Sequence, residues 1–166
     1  MVYLLGTLTL FLATILQVTL ADRVTLLSGP ADILLLALVA WNLQEDVPPS
    51  WRWGVLAGLM LGLSSVLPLW LVLVSYTAAA ALTQLLRLRV WQVPLLTLFT
   101  SVVAGTLLIN GLALTYLWLG AHPIELGEAF NLVVLPSIVF NMILALPTYA
   151  LINEIGKFLI PGEAGA

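Results

Sequence analysis

The chain has no cysteine, a single histidine, and charged side chains at only 8% of its 166 positions. Without cysteine there is neither a disulfide framework nor a thiolate metal site. One histidine cannot build a histidine-rich metal centre. No Lys or Arg precedes the first apolar run, so the basic start of a cleaved leader is missing, although Thr19-Leu20-Ala21 loosely has the small-x-Ala form of a cleavage site. The scarcity of charge excludes a water-soluble domain, which must cover much of its exterior with charged groups. What is present instead is apolar length. Hydrophobic residues make up 62% of the chain and the mean hydropathy is +1.15. These values imply an all-α integral membrane protein, a single polytopic transmembrane domain over residues 1–166. The net charge of −3 arises in short loops and says little about partners.

At about 20 residues per crossing, this length accommodates five or six spans. The first helix covers residues 2–20 and stops at Asp22-Arg23. Pro30 and Asp32 suit the first turn of a second helix, residues 30–42, because proline lacks the amide that a first turn leaves unpaired and a carboxylate meets the positive end of the dipole. The polar stretch 44–50 closes it. Residues 51–86 are too long an apolar run for one crossing, and Pro68 divides it, since proline disfavours α geometry at the residue before it. Two helices follow, 53–66 and 69–86. The remaining helices are 93–119 and 129–157, separated by Gly120-Ala121-His122-Pro123. The reading is a compact bundle of six transmembrane helices with both termini on one side. Arg52, Arg87, Arg89 and Lys157 share that side, so the positive-inside rule places the termini in the cytoplasm. A five-helix reading segregates the bases equally well; length decides for six.

All six tryptophans, Trp41, Trp51, Trp53, Trp70, Trp91 and Trp118, fall near expected helix ends, as interfacial anchors do. The second and third helices are short and are expected to form a cavity rim or a partner-facing surface. Gly54, Gly58 and Gly62 lie four apart on one helix face, where a neighbouring backbone can approach closely. Ser75/Ala79/Thr83 and Thr97/Ser101/Gly105 repeat the spacing. Such faces serve either internal helix packing or a partner interface, with internal packing favoured for the glycine row. In the last helix, Pro136 and Pro147 each remove an amide donor, leaving the carbonyls of Leu132 and Ile143 short of a partner. Asn141 between them is expected to face protein, because an unpaired amide is costly in lipid.

Asp32 is the acid nearest the membrane without an adjacent base, and its place at a helix start accounts for it. Gln17, Gln84 and Asn110 read as packing contacts. His122, Glu125 and Glu128 form a solvated loop and not a metal centre. No His-Glu-x-x-His, Gly-x-Ser-x-Gly or Walker A pattern occurs. No mid-membrane aspartate pair occurs, and Ser64-Ser65 has no accompanying histidine. The expectation is therefore no catalytic residue, no metal and no cofactor.

The size, the six helices, the Pro30-Ala31-Asp32-Ile33-Leu34-Leu35 opening, the glycine-rich third helix and the segment from Leu135 to Tyr149 together resemble the rod shape-determining protein MreD family. The resemblance spans nearly the whole chain and is carried best by Pro30/Asp32 and by Pro136–Asn141–Pro147. After Gly62 an acidic residue is expected from the family, whereas Leu63-Ser64-Ser65 stands here. The resemblance implies a non-catalytic bacterial inner-membrane scaffold of the cell-elongation complex. Its partners would be a bitopic MreC-like protein and, through it, the peptidoglycan polymerase and transpeptidase, the MreC-like helix lying against the small-residue faces. It also implies a fold similar to the S components of energy-coupling-factor vitamin transporters, the rival functional reading. That rival predicts a small-residue row on the first helix, where Gly6, Thr7, Thr9, Ala13 and Thr14 form no sustained Ala-x-x-x-Ala pattern.

Overall fold

A computed structural model describes residues 2–20, 25–26, 29–44, 47, 51–90, 94–120 and 125–159. The elements are α1 (Val2–Leu20), a two-stranded antiparallel hairpin of β1 (Thr25–Leu26) and β2 (Gly29–Pro30), α2 (Ile33–Asn42), α3 (Arg52–Gly62), α4 (Leu69–Val90), α5 (Pro94–Leu119), α6 (Leu126–Ala129), a π-helical turn (Phe130–Val134) and α7 (Leu135–Leu159). The last three run on without a break, so six helical columns form the bundle. Four columns are long and apolar enough to cross a membrane.

Successive columns alternate in direction. Gly6, near the start of α1, lies against Trp41 and Trp53, whereas Gln17 near its end bonds to Ala31 and Ile33. In α4, Tyr76 meets Asp32 at the start of α2 and Arg87 meets Asn42 at its end, so α2 and α4 run parallel. Gly156 near the end of α7 lies by Gln44. The first and last columns therefore have their outer ends on the same side of the bundle as Arg87.

The centre is α2. Every residue from Leu34 to Asn42 is buried, and α1, α3, α4, α5 and α7 all pack on it. A helix apolar on all faces is stable only when surrounded. The expectation that α2 forms a cavity rim or partner-facing surface is thus corrected: it is the core of the bundle. Its start is corrected as well. Pro30 pairs with Thr25 in the hairpin and lies outside the helix, which begins after Asp32. Pro68 does mark the break between α3 and α4, its carbonyl accepting the amides of Leu71 and Val72. Two tryptophans depart from the interfacial reading. Trp41 and Trp53 are buried, stacked edge-on at 5.9 Å between ring centroids, with Tyr3 layered on Trp53 at 5.8 Å. Gly6 makes room for them, since a Cβ there would stand 2.5 Å from the Trp53 ring. Trp51, Trp70 and Trp118 are exposed, and Trp91 lies outside the described residues.

Candidate functional site

The site builds from the α2 start. Asp32 caps the helix: its Oδ1 accepts the Leu35 amide at 2.9 Å, as short polar side chains do at N-caps. The Tyr76 hydroxyl, from α4, donates across both carboxylate oxygens at 2.8 and 2.9 Å. Two further amides at this helix start find partners on other columns. Gln17 of α1 accepts the Ile33 amide at 2.7 Å and donates to the Ala31 carbonyl at 3.1 Å. Asn141 of α7 accepts the Asp32 amide at 2.8 Å and donates to Thr106 Oγ1 of α5 at 2.9 Å; Thr106 in turn donates to Val102. Five columns thus meet at one junction. A helix start leaves unpaired amides that must find acceptors when buried; here the neighbouring helices supply them.

The other end of α2 is closed by Arg87, whose Nη1 donates to the carbonyls of Asn42 at 2.8 Å and Val47 at 3.2 Å. A cation there also meets the negative end of the helix dipole. Tyr76 and Arg87 stand three turns apart on one face of α4, about 16 Å along its axis, against about 15 Å for the ten residues of α2. One helix therefore clasps another at both ends. With α4 as a ruler, Asp32 lies about 16 Å from the Arg87 level and about 10 Å from the start of α4, well inside a ~30 Å hydrocarbon core.

On the far side of the junction, Gly29 of the hairpin presses on α7. A Cβ there would stand 2.6 Å from the Ser137 amide nitrogen and 2.8 Å from the Val133 carbonyl oxygen. This contact sits where the π-turn hands over to α7, with the Leu135 amide bonding to Phe130. Pro136 is the second residue of α7. The wider π-turn just before it holds Leu132, whose carbonyl the missing donor would otherwise have met. Pro147 lies inside α7, exposed.

The small-residue rows are all internal. A Cβ at Gly54 would strike the Tyr76 carbonyl, one at Gly58 would stand 2.7 Å from Leu73 Cα, and one at Gly62 2.5 Å from Leu69 Cδ1. Ser75, Ala79, Thr83, Thr97 and Ser101 are buried, and Gly105 faces Leu35. Those faces are filled by the protein's own helices, so an expected partner helix has no room there. Glu125 and Glu128 are exposed, His122 lies outside the described residues, and no metal-binding group occurs among the described residues. An apolar groove between α1 and α3, lined by Tyr3, Leu4, Thr7, Leu8, Phe11 and Met60, is open along one side.

Gln17 reads from the sequence as a packing contact, and it bonds α1 to the start of α2. Tyr76, Thr106 and Gly29 carried no separate signal: a tyrosine and a threonine in apolar helices look like core, and Ser28-Gly29-Pro30 looks like a loop. No protein-family model, curated protein or solved structure matches this chain.

Proposed function

We propose that the protein is a non-catalytic, six-pass scaffold of the bacterial inner membrane, of the MreD kind, with cytoplasmic termini. In this role it holds an MreC-like bitopic partner and, through it, supports the peptidoglycan polymerase and transpeptidase that maintain rod shape. One observation carries the reading. The two stretches that bear the resemblance, Pro30–Asp32 and Pro136–Asn141, are joined in space by the bond from the Asp32 amide to Asn141. What supports a scaffold role is that Gln17, Asp32, Tyr76, Thr106 and Asn141 tie five columns together, which makes a rigid platform. The outward side chains are the surface left for a partner. α1 offers part of that surface: among the described residues it packs on α2 and α3 and exposes Tyr3, Leu4, Leu8, Phe11 and Leu12.

The reading is tested by depleting the protein in its native host. Loss of rod shape, restored by the wild-type chain, is the expected result. Cells that keep their shape and their rate of side-wall synthesis after depletion would refute it.

A further inference from the structure

We propose that the groove between α1 and α3 seats one acyl chain of an anionic phospholipid, with Arg52 holding the headgroup at its mouth. The inference stands apart from the scaffold role. The groove has a volume of about 480 Å³, with Tyr3, Leu4, Thr7, Leu8 and Phe11 of α1 on one wall and Met60 of α3 on the other. Midway along it the Thr7 hydroxyl donates to the Tyr3 carbonyl at 2.8 Å, so the wall asks for no polar partner there and suits an alkyl chain. Length decides the occupant. From Tyr3 to Phe11 the groove runs about 12 Å, close to the hydrocarbon depth of one leaflet, which is half of a ~30 Å core. The α3 wall stops two residues beyond Met60, where the helix ends at Gly62. A partner helix crossing the whole core would touch both walls for less than half its length, whereas a single chain of one leaflet is covered throughout. Further along α1, Leu12, Ile15 and Leu16 are exposed and remain for a protein partner.

Charge and aromatic placement select the lipid. Arg52, Leu56 and Met60 lie four apart along one ridge of α3, which puts Arg52 at the open end of the groove, two turns before Met60. Tyr3 stacks on Trp53 at 5.8 Å, so the first turns of α1 and α3 stand at one level. Arg52 is exposed there, and its neighbour Trp51, 52% exposed, marks headgroup depth, where such rings settle. An arginine stem lies along apolar surface while its head stays among the headgroups, and its guanidinium forms charge-assisted bonds to phosphate. The other bases at this end are committed or distant. Arg87 turns inward to the Asn42 and Val47 carbonyls, Lys157 pairs with Glu154 at 3.4 Å, and Arg89 stands on α4, which packs on α3 and not on α1 among the described residues.

The test uses the full chain in phosphatidylcholine vesicles holding a trace of phosphatidylglycerol, or of phosphatidylcholine, with a photoreactive diazirine in the acyl chain. Labelled residues are located by mass spectrometry, and Leu107 of α5, also exposed, reports an ordinary lipid-facing surface. Phosphatidylglycerol should label the groove about fivefold more than phosphatidylcholine does, the preference that one basic side chain gives an anionic headgroup. Arg52→Gln should bring that ratio down to the ratio at Leu107, and Leu8→Trp, which fills the groove, should remove label from both lipids. A groove with no greater preference for phosphatidylglycerol than Leu107 shows, or a preference that survives Arg52→Gln, overturns the proposal. So does a polypeptide crosslinked in native membranes to a benzoylphenylalanine placed at Leu8, which makes the groove a protein interface.

Discussion

Gly58→Ala adds a single methyl group in the middle of the α3–α4 contact, where it meets only backbone. The new Cβ would stand 2.7 Å from Leu73 Cα and 3.3 Å from the carbonyl oxygens of Val72 and Leu73. All three are backbone atoms, so no rotamer change relieves the clash, and the two helices must separate by most of an ångström. Overpacking of this kind costs about 1–3 kcal/mol. Alanine returns part of that, because it is about 1 kcal/mol better than glycine within a helix. The net change then runs from about zero to a loss of about 2 kcal/mol. Gly111→Ala on α5 is the internal control: nothing lies within 4 Å of its Cβ position, so only the propensity gain of about 0.4–1 kcal/mol remains. The two alanine variants should differ by about 2 kcal/mol, on the order of thirty-fold in the folded-to-unfolded ratio. Equilibrium unfolding in mixed micelles, followed by circular dichroism and by a proteolysis readout, measures the gap. If Gly58→Ala proves as stable as Gly111→Ala, the packing of α3 on α4 through its glycine face is wrong.

Other predictions address the clasp and the topology. Asn141→Ala leaves the Asp32 amide without its acceptor and should destabilise the protein by about 1–3 kcal/mol, measured in the same unfolding assay. Tyr76→Phe keeps the ring and removes the hydrogen bond to the carboxylate, for a loss of about 1.5–3 kcal/mol; hydrogen exchange should show the first turn of α2 opening more readily. Arg87→Met keeps much of the aliphatic stem but leaves the Asn42 and Val47 carbonyls without this donor, so exchange should rise at the opposite end of α2. Because the chain has no cysteine, single-cysteine labelling maps its topology directly. A membrane-impermeant maleimide should reach Ser64→Cys from outside the cell and Glu154→Cys only from the cytoplasm.

The sequence reveals the order and nature of the helices because apolar length and proline breaks are local properties. Pro68 ends a run wherever it occurs, and Asp32 caps a helix because its carboxylate reaches the amide three residues on. What escaped reading is set by contacts distant in the chain. Pro30 suits a first helical turn by its own preference, yet pairing with Thr25 holds it in a hairpin; strands of two residues have too little pattern to announce themselves. Trp41 sits near a helix end and so reads as an interfacial anchor, but the glycine at position 6 admits it and Trp53 to the interior. Tyr76 becomes a ligand of Asp32 only when α2 and α4 lie parallel, 44 residues apart. The missing donor of Pro136 is legible, whereas the π-turn before it, packed beside Gly29 of the hairpin, is not.

The role we propose for this bundle is that of a partner-holding scaffold of cell elongation. Affinity purification from native membranes in mild detergent, with mass spectrometry of the companions, tests it most directly. Enrichment of an MreC-like bitopic protein together with a peptidoglycan polymerase and transpeptidase is the expected result. Recovery instead of paired ABC ATPases with a transmembrane coupling protein would contradict it and make the chain the substrate-binding component of a vitamin transporter.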